Sequence, residues 1–352
     1  MARARVVFVL KSLRERWPDL PSLDERGFER QHPRVRRGID IWIAQGYARL
    51  REPLEARGFE VSVSERFVPG AICVAHRDDL NRYRDPLHEC FVVGVRADRP
   101  EVTVAEIEVV QSAVQVDSSR ARFLPSWPQP GLIPRDASRG SCIRRAAYLG
   151  RTSAAPAWYF EESFRRKLLD IGITFDVRTG RWNDYSQVDI VLAHRDENEA
   201  MLQRKPATKL VNAWLAEAPA LVAPEPAIEE LRRGDLDFIA TADAASTLAA
   251  VRSLAREPAR YLAMIENGRR RSREYVASAV RGRWMALFEN DVMPAYELWR
   301  LRGGWERYLR HLHTMSAQKL AARRFRQAER RDRPASPSSI PQSAQKTSEL
   351  GR

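Results

Sequence analysis

His76 is followed at once by Arg77, Asp78 and Asp79, and the four residues come directly after the short apolar run Ala71–Ala75. An imidazole that titrates near neutrality, set beside carboxylates at the end of a buried strand, can take a proton from a hydroxyl. His76 is therefore the candidate general base, with Asp78 as its orienting partner or substitute. A loop histidine packed on an interdomain surface accounts for the same residues. A second set is cationic. Arg195 follows His194 at the end of Val188–Ala193, and Lys205, Thr208 and Lys209 open the stretch Arg204-Lys-Pro-Ala-Thr-Lys-Leu-Val-Asn-Ala-Trp214. Pro206 suits a first helical turn, and Leu210, Trp214 and Leu215 follow at helical spacing, so a helix is expected over Pro206–Glu217. Its free backbone N–H groups, flanked by two lysines, would suit an anion such as a diphosphate. An ordinary helix with solvated lysines is the alternative.

The elements that must hold these residues alternate. Val6–Leu10, Phe59–Val63, Ala71–Ala75, Phe91–Val95 and Ile107–Val110 read as strands, and Arg34–Arg57 carries Ile39, Trp42, Ile43, Tyr47, Leu50 and Leu54 at helical spacing. Between Phe123 and Gly140, four prolines mark a stiff connector. The pattern then restarts with Ala146–Leu149, Ile173–Val177, Val188–Ala193, Ala220–Ala223 and Phe238–Thr241 as strands. A short helix is expected through Glu229–Arg233, and another from Asp243 to just before Pro258. Strands interleaved with helices specify an α/β architecture. The segmentation is 1–124, a linker 125–145, a second domain 146–280, C-terminal helices 281–331 and a disordered tail 332–352.

The chain has 352 residues, of which 44% are hydrophobic, enough for two cores. No run approaches the length of a membrane span, and Val6–Leu10 is too short for a secretory signal, so a cytoplasmic location is expected. Cys73, Cys90 and Cys142 lie far apart, which argues for packing rather than disulfides or zinc. Lys and Arg number 59 against 46 acids, a formal charge of +13. No helix-turn-helix, zinc-finger or RNA-binding aromatic signature accompanies that charge, so nucleic acid is not the expected partner. Dinucleotide-dehydrogenase, P-loop, zincin and α/β-hydrolase motifs are absent from the sequence as well.

The strings Tyr148-Leu-Gly-Arg151, Tyr185-Ser-x-Val-Asp-x-Val-Leu-Ala-x-Arg195 and Lys205-Pro-x-Thr-Lys-Leu-x-Asn-Ala-Trp214, with Pro219, resemble the donor half of bacterial nucleotide-sugar glycosyltransferases of the GT-B fold. Trp127-Pro-Gln-Pro-Gly-Leu-Ile-Pro-Arg-Asp136 with Arg139-Gly140 resembles the linker of one such subgroup. The resemblance covers about 126–299 and extends to the first half only by pattern. It implies two Rossmann-like domains facing a cleft, with acceptor on the first, nucleotide-sugar on the second, and C-terminal helices that return to the first domain. It implies that Arg151 contacts the donor diphosphate, although Arg151 could instead pair with Asp170 or Asp176. It also implies that Lys205, Lys209, Thr208 and Arg195 serve the phosphates. Many retaining members carry two glutamates eight positions apart, where this chain has Arg204 and Asn212. Asn212 can still bond a ribose hydroxyl, and Glu225 or Glu229 could supply a carboxylate. Both glutamates could equally well only favour a helix N-terminus.

Two functions follow. One is transfer of a sugar from a nucleoside diphosphate to a hydroxyl of a glycan, lipid-linked or small-molecule acceptor, without metal or other cofactor, in cell-surface glycan synthesis. The other is a silent module that binds a nucleotide-sugar or glycan. Basic residues from Arg300 to Arg331, alongside Trp299, Trp305 and Tyr308, further suggest contact with an anionic membrane surface.

Overall fold

The computed structural model describes residues 3–80 and 85–331, and the expected tail at 332–352 lies outside the described residues. In the first half, β1 (Arg5–Val9), β2 (Glu60–Ser64), β3 (Ile72–His76), β4 (Phe91–Val95), β5 (Ile107–Val110) and β6 (Ala121–Phe123) form a parallel sheet in the order β2-β1-β3-β4-β5-β6. Strands β3, β4 and β5 are buried at every position, as runs of Val, Ile, Ala and Phe must be when both sheet faces are covered. The second half holds β7 (Arg145–Leu149), β8 (Thr174–Arg178), β9 (Ile190–Ala193), β10 (Ala220–Val222) and β11 (Ile239–Ala240), parallel in the order β11-β10-β9-β7-β8.

Several element boundaries differ from those read in the sequence, each for a local reason. The Arg34–Arg57 segment turns helical only at Gly38, passes through a π-turn at Asp40–Ala44 and continues as the helix Gln45–Glu55. The buried Asp40 carboxylate accepts the N–H groups of Arg36 and Arg37 at 3.0 Å and holds the preceding residues as a loop. The helix expected over Pro206–Glu217 spans Thr208–Leu215, with Pro206 just outside it. The short helix placed at Glu229–Arg233 instead runs Pro226–Glu229, where proline occupies the first turn. The connector is anchored rather than free. Arg135 and Arg139 both bond the buried Asp189 carboxylate, at 3.1 Å and 2.7 to 2.8 Å.

The C-terminal helices return to the first domain. Val280, Trp284, Phe288, Val292, Tyr296 and Trp299 are buried in one core with Phe8, Trp42, Leu50 and Phe91. Trp42 meets Trp284 edge-on at 6.5 Å, and Phe91 meets Tyr296 at 5.6 Å. The final helix, Gly304–Arg331, continues along that domain, where Thr103 Oγ1 donates to Thr314 O at 2.7 Å.

Candidate functional site

In each sheet the chain leaves one strand for a neighbour on one side and later returns to its other side. Such a reversal opens a crevice at the carboxyl ends of the two strands concerned. In the first sheet these are β1, followed by Lys11 and Ser12, and β3, which ends on His76 and is followed by Asp78 and Asp79. In the second they are β7 and β9, followed by Gly150, Arg151, His194 and Arg195. The two crevices line one cleft of about 870 Å³.

The second-domain wall of the cleft includes Arg151, Arg195, Lys205, Thr208, Lys209 and Asn212. Lys209 stands on the first turn of the Thr208–Leu215 helix with its ammonium 4.0 Å from the centroid of the Tyr148 ring. Burial pushes its pKa well below the ordinary lysine value, the Arg195 and Lys205 charges push it lower still, and Glu197 only partly offsets them. Lys205 is held 3.1 Å from Glu197 Oε2 and 3.6 Å from Asp98 Oδ2, the latter across the cleft on the first domain. Arg195 bonds Glu225 and donates to Pro206 O at 3.2 Å. Arg151 is exposed, and its guanidinium makes no ion pair among the described residues. Asn212 is buried, with its side-chain oxygen unpartnered among the described residues. Gly150 has a steric reason: a Cβ there would come within 2.9 Å of the Tyr148 hydroxyl.

The first-domain wall brings His76 and Asp78 to the same cleft. Burial lowers the His76 pKa to about 4, so the ring is neutral near pH 7. Its Nδ1 accepts the Asp78 N–H at 3.2 Å and lies 3.5 Å from Asp78 Oδ2, while its Nε2 is unpartnered among the described residues. Asp78 is also held by Arg99 at 2.8 and 3.2 Å.

The fold of a sucrose-phosphate synthase from Thermosynechococcus elongatus is similar over 82% of this chain and 98% of its own, with a TM-score of 0.50 at 10% sequence identity. The chain has the GT-B fold. HepE from Anabaena, solved in complex with UDP and glucose, matches over 82% of this chain and 100% of that one, with a TM-score of 0.49 at 11% identity. A GtfA/B complex matches over 66% of this chain with a TM-score of 0.45 at 9% identity. The chain spans 58% of the GtfA/B chain and 55% of TarM, little more than half of each. No family model matches the sequence, and no curated protein matches it.

Two of the candidate residues lie outside the GT-B cleft. Glu225 is fully buried behind Arg195, and Glu229 pairs with Arg232 at 2.8 Å. Neither lines the cleft, so a carboxylate for ribose or donor sugar does not come from them in this arrangement. The sequence reading missed Lys11, Arg37, Asp98, Arg99, Trp182 and Glu197, which also line the GT-B cleft. Lys11 carried a signal, because it directly follows an apolar strand. Asp98 and Arg99 arrive on a loop with no pattern of their own.

Proposed function

We propose that the chain transfers a glycosyl group, of hexosyl type, from a nucleoside diphosphate sugar to a hydroxyl acceptor. The observation that carries this reading is the buried Lys209 ammonium, crowded by Arg195 and Lys205 at the end of the crevice between β7 and β9. A buried cation with too little opposing charge is stabilised by a bound anion, and a departing diphosphate brings that charge where it develops. In this reading Arg151, Arg195, Lys205, Lys209 and the N–H groups near Thr208 neutralise the diphosphate without a metal or other cofactor. Asn212 bonds the ribose. On the opposite wall His76 Nε2 takes the acceptor proton once the ring adopts the tautomer with hydrogen on Nδ1, which exchanges the Asp78 N–H for the Asp78 carboxylate, 3.5 Å away, as the Nδ1 partner. A role in cell-surface glycan synthesis, at the inner face of the cell membrane, belongs to the same proposal.

One observation favours a second reading, a silent module that binds a nucleotide-sugar or glycan. Arg204 and Asn212 stand where a glutamate pair would fall, Glu225 is tied to Arg195, and Glu229 pairs with Arg232 and does not line the cleft. Thermal shift against nucleoside diphosphates and their sugars, followed by incubation with a radiolabelled nucleotide-sugar, separates the two. Stabilisation with release or transfer of the sugar supports the transferase, and stabilisation without turnover on any acceptor supports the module. No stabilisation by any nucleotide would sink the transferase and would leave the module only as a glycan binder.

A further inference from the structure

The turn after β4 reaches both walls of the cleft, and its root is fixed. Arg96 is buried and bonds Glu108 at 2.7 and 2.8 Å and Asp117 at 2.8 and 3.0 Å, while the Arg99 N–H closes the turn on Arg96 O at 3.1 Å. Ala97 stands at φ 51°, a left-handed conformation that a Cβ disfavours, and its carbonyl accepts from Gln115 Nε2 at 3.3 Å. This held backbone carries the next two side chains, Asp98 and Arg99, into the cleft. They are 36% and 42% exposed, so both can turn without unpacking a core.

Lys205, Asp98, Arg99 and Asp78 stand in series and end on His76. Asp98 Oδ2 lies 3.6 Å from Lys205 Nζ on the opposite wall, and Asp98 Oδ1 lies 3.7 Å from Arg99 Nη1. Arg99 in turn holds Asp78, with Nε donating to Oδ1 at 2.8 Å and Nη2 to Oδ2 at 3.2 Å. Asp78 Oδ2, which takes the longer of these bonds, is also the oxygen 3.5 Å from His76 Nδ1. That nitrogen accepts the Asp78 N–H at 3.2 Å. A backbone N–H only donates, so the neutral ring carries its hydrogen on Nε2, where a base needs a lone pair.

We propose that this series is a relay that makes His76 a base when the donor diphosphate takes Lys205 from Asp98. It rests on the glycosyl-transfer reading and adds to it how the two walls are coupled. A diphosphate carries more charge than a carboxylate and displaces Asp98 from the ammonium. The freed carboxylate turns to the other cation beside it, Arg99, and takes Nη2 as well as Nη1. Asp78 Oδ2 then gives up its longer bond to Arg99, while Oδ1 keeps Nε. Oδ2 turns to His76 Nδ1, and the ring hydrogen passes from Nε2 to Nδ1 by exchange with water. One proton leaves the ring and one joins it, so the ring stays neutral and Nε2 is left with a lone pair for the acceptor hydroxyl. Asp98 and Arg99 are positioning residues in this scheme, since neither touches the reacting atoms.

The full chain is prepared with isotopically labelled histidine, and long-range proton–nitrogen spectra near neutral pH read which ring nitrogen carries hydrogen. His76→Gln assigns the signal among the six histidines, and the signal of His311, which does not line the cleft, checks the fold. Saturating UDP should raise the ratio of Nδ1–H to Nε2–H rings at least about fivefold in the wild type, the lower end of coupling between two sites. Asp98→Asn should still bind UDP yet lose that shift, because a neutral amide does not draw Arg99 from Asp78. A merely structural Asp98 would leave the shift intact wherever UDP binds. Lys205→Met should show the shifted ring without any nucleotide, since it frees Asp98, and Lys205→Met combined with Asp98→Asn should return the hydrogen to Nε2. A UDP-bound wild type that keeps hydrogen on Nε2, an Asp98→Asn protein that still shifts, or a Lys205→Met protein that does not shift would each overturn the relay. Failure of the wild type to bind UDP would overturn the donor reading alone, because the Lys205→Met spectra need no nucleotide.

Discussion

The Lys209 ammonium rests on the face of Tyr148, 4.0 Å from the ring centroid, and takes its closest polar contact from His194 O at 3.5 Å. A cation held by a ring face and a carbonyl is well oriented yet poorly neutralised, since neither group carries a formal charge. Lys209→Ala should therefore weaken UDP binding by about 1.5–3 kcal/mol, roughly 10- to 150-fold, as for a hydrogen bond to a charged group. The melting temperature of the free protein should hold or rise. Because burial and the neighbouring cations depress its pKa and a diphosphate would raise it, UDP should bind with proton uptake and more weakly as pH rises. Calorimetry in buffers of different ionisation enthalpy reads this directly, and proton release on binding would contradict it.

Two buried histidines set an acid limit on stability. Burial brings the pKa of His76 and of His194 to about 4, from an ordinary 6.5. His194 is further fixed by the Tyr159 hydroxyl at 2.7 Å and Thr241 at 2.8 and 2.9 Å. A histidine whose folded pKa is lowered binds more protons when unfolded, so stability is full above pH 6.5 and is lost as pH falls toward 4. Each ring contributes on the order of 1–3 kcal/mol to that loss. The depressed carboxylates act mainly below this window. Denaturant melts from pH 7 to 4 should show the decline, and His76→Gln should flatten it. An unchanged slope in that variant would remove His76 from the account.

If the donor diphosphate binds as proposed, Asp98 competes with it for Lys205. The carboxylate reaches across the cleft to within 3.6 Å of the ammonium, and a phosphate at the same place would have to displace it. Asp98→Asn should tighten UDP binding by about two- to fivefold, the scale of a partly exposed ion pair. Weaker binding in this variant would mean that the pair holds the cleft open to the donor instead of blocking it.

What the sequence revealed depended on whether the physics was local. The strands β1, β3, β4 and β9 were legible because a strand covered on both faces must be a continuous apolar run. The cationic wall was legible because Arg151 and Arg195 follow strand ends closely, and Lys205 and Lys209 flank a helix N-terminus. Strand β6 was not, since it has only three residues and includes Arg122, which is explained by an ion pair with Asp291 at 2.6 Å from a distant helix. The face that Gly304–Arg331 packs on the first domain was also hidden. It consists largely of Arg307, His311, Thr314 and Gln318, which pack through stems and hydrogen bonds and show no apolar period. Glu225 illustrates a third limit. Its role follows from a pairing with Arg195, thirty positions away, that no spacing rule encodes.

The return of the C-terminal helices couples residues far apart in the chain, and it can be tested on one residue. Trp284 follows the second domain in sequence, yet it is fully buried in the core of the first, against Trp42 at 6.5 Å and Phe288 at 6.5 Å. Truncating a buried tryptophan removes its transfer free energy and leaves a cavity, typically about 3–5 kcal/mol together. Trp284→Ala should therefore weaken the first domain, although residues 145–272 carry the second sheet and its own helices. Hydrogen exchange should report the loss in β1, β3 and β4, while amides of β7, β9 and β10 keep their protection and UDP still protects the Thr208–Leu215 helix. Equal loss in both sheets would mean that the two domains unfold as one unit. Loss confined to β7–β11 would mean that Trp284 belongs energetically to the domain it follows, and the crossover would then add nothing to the first.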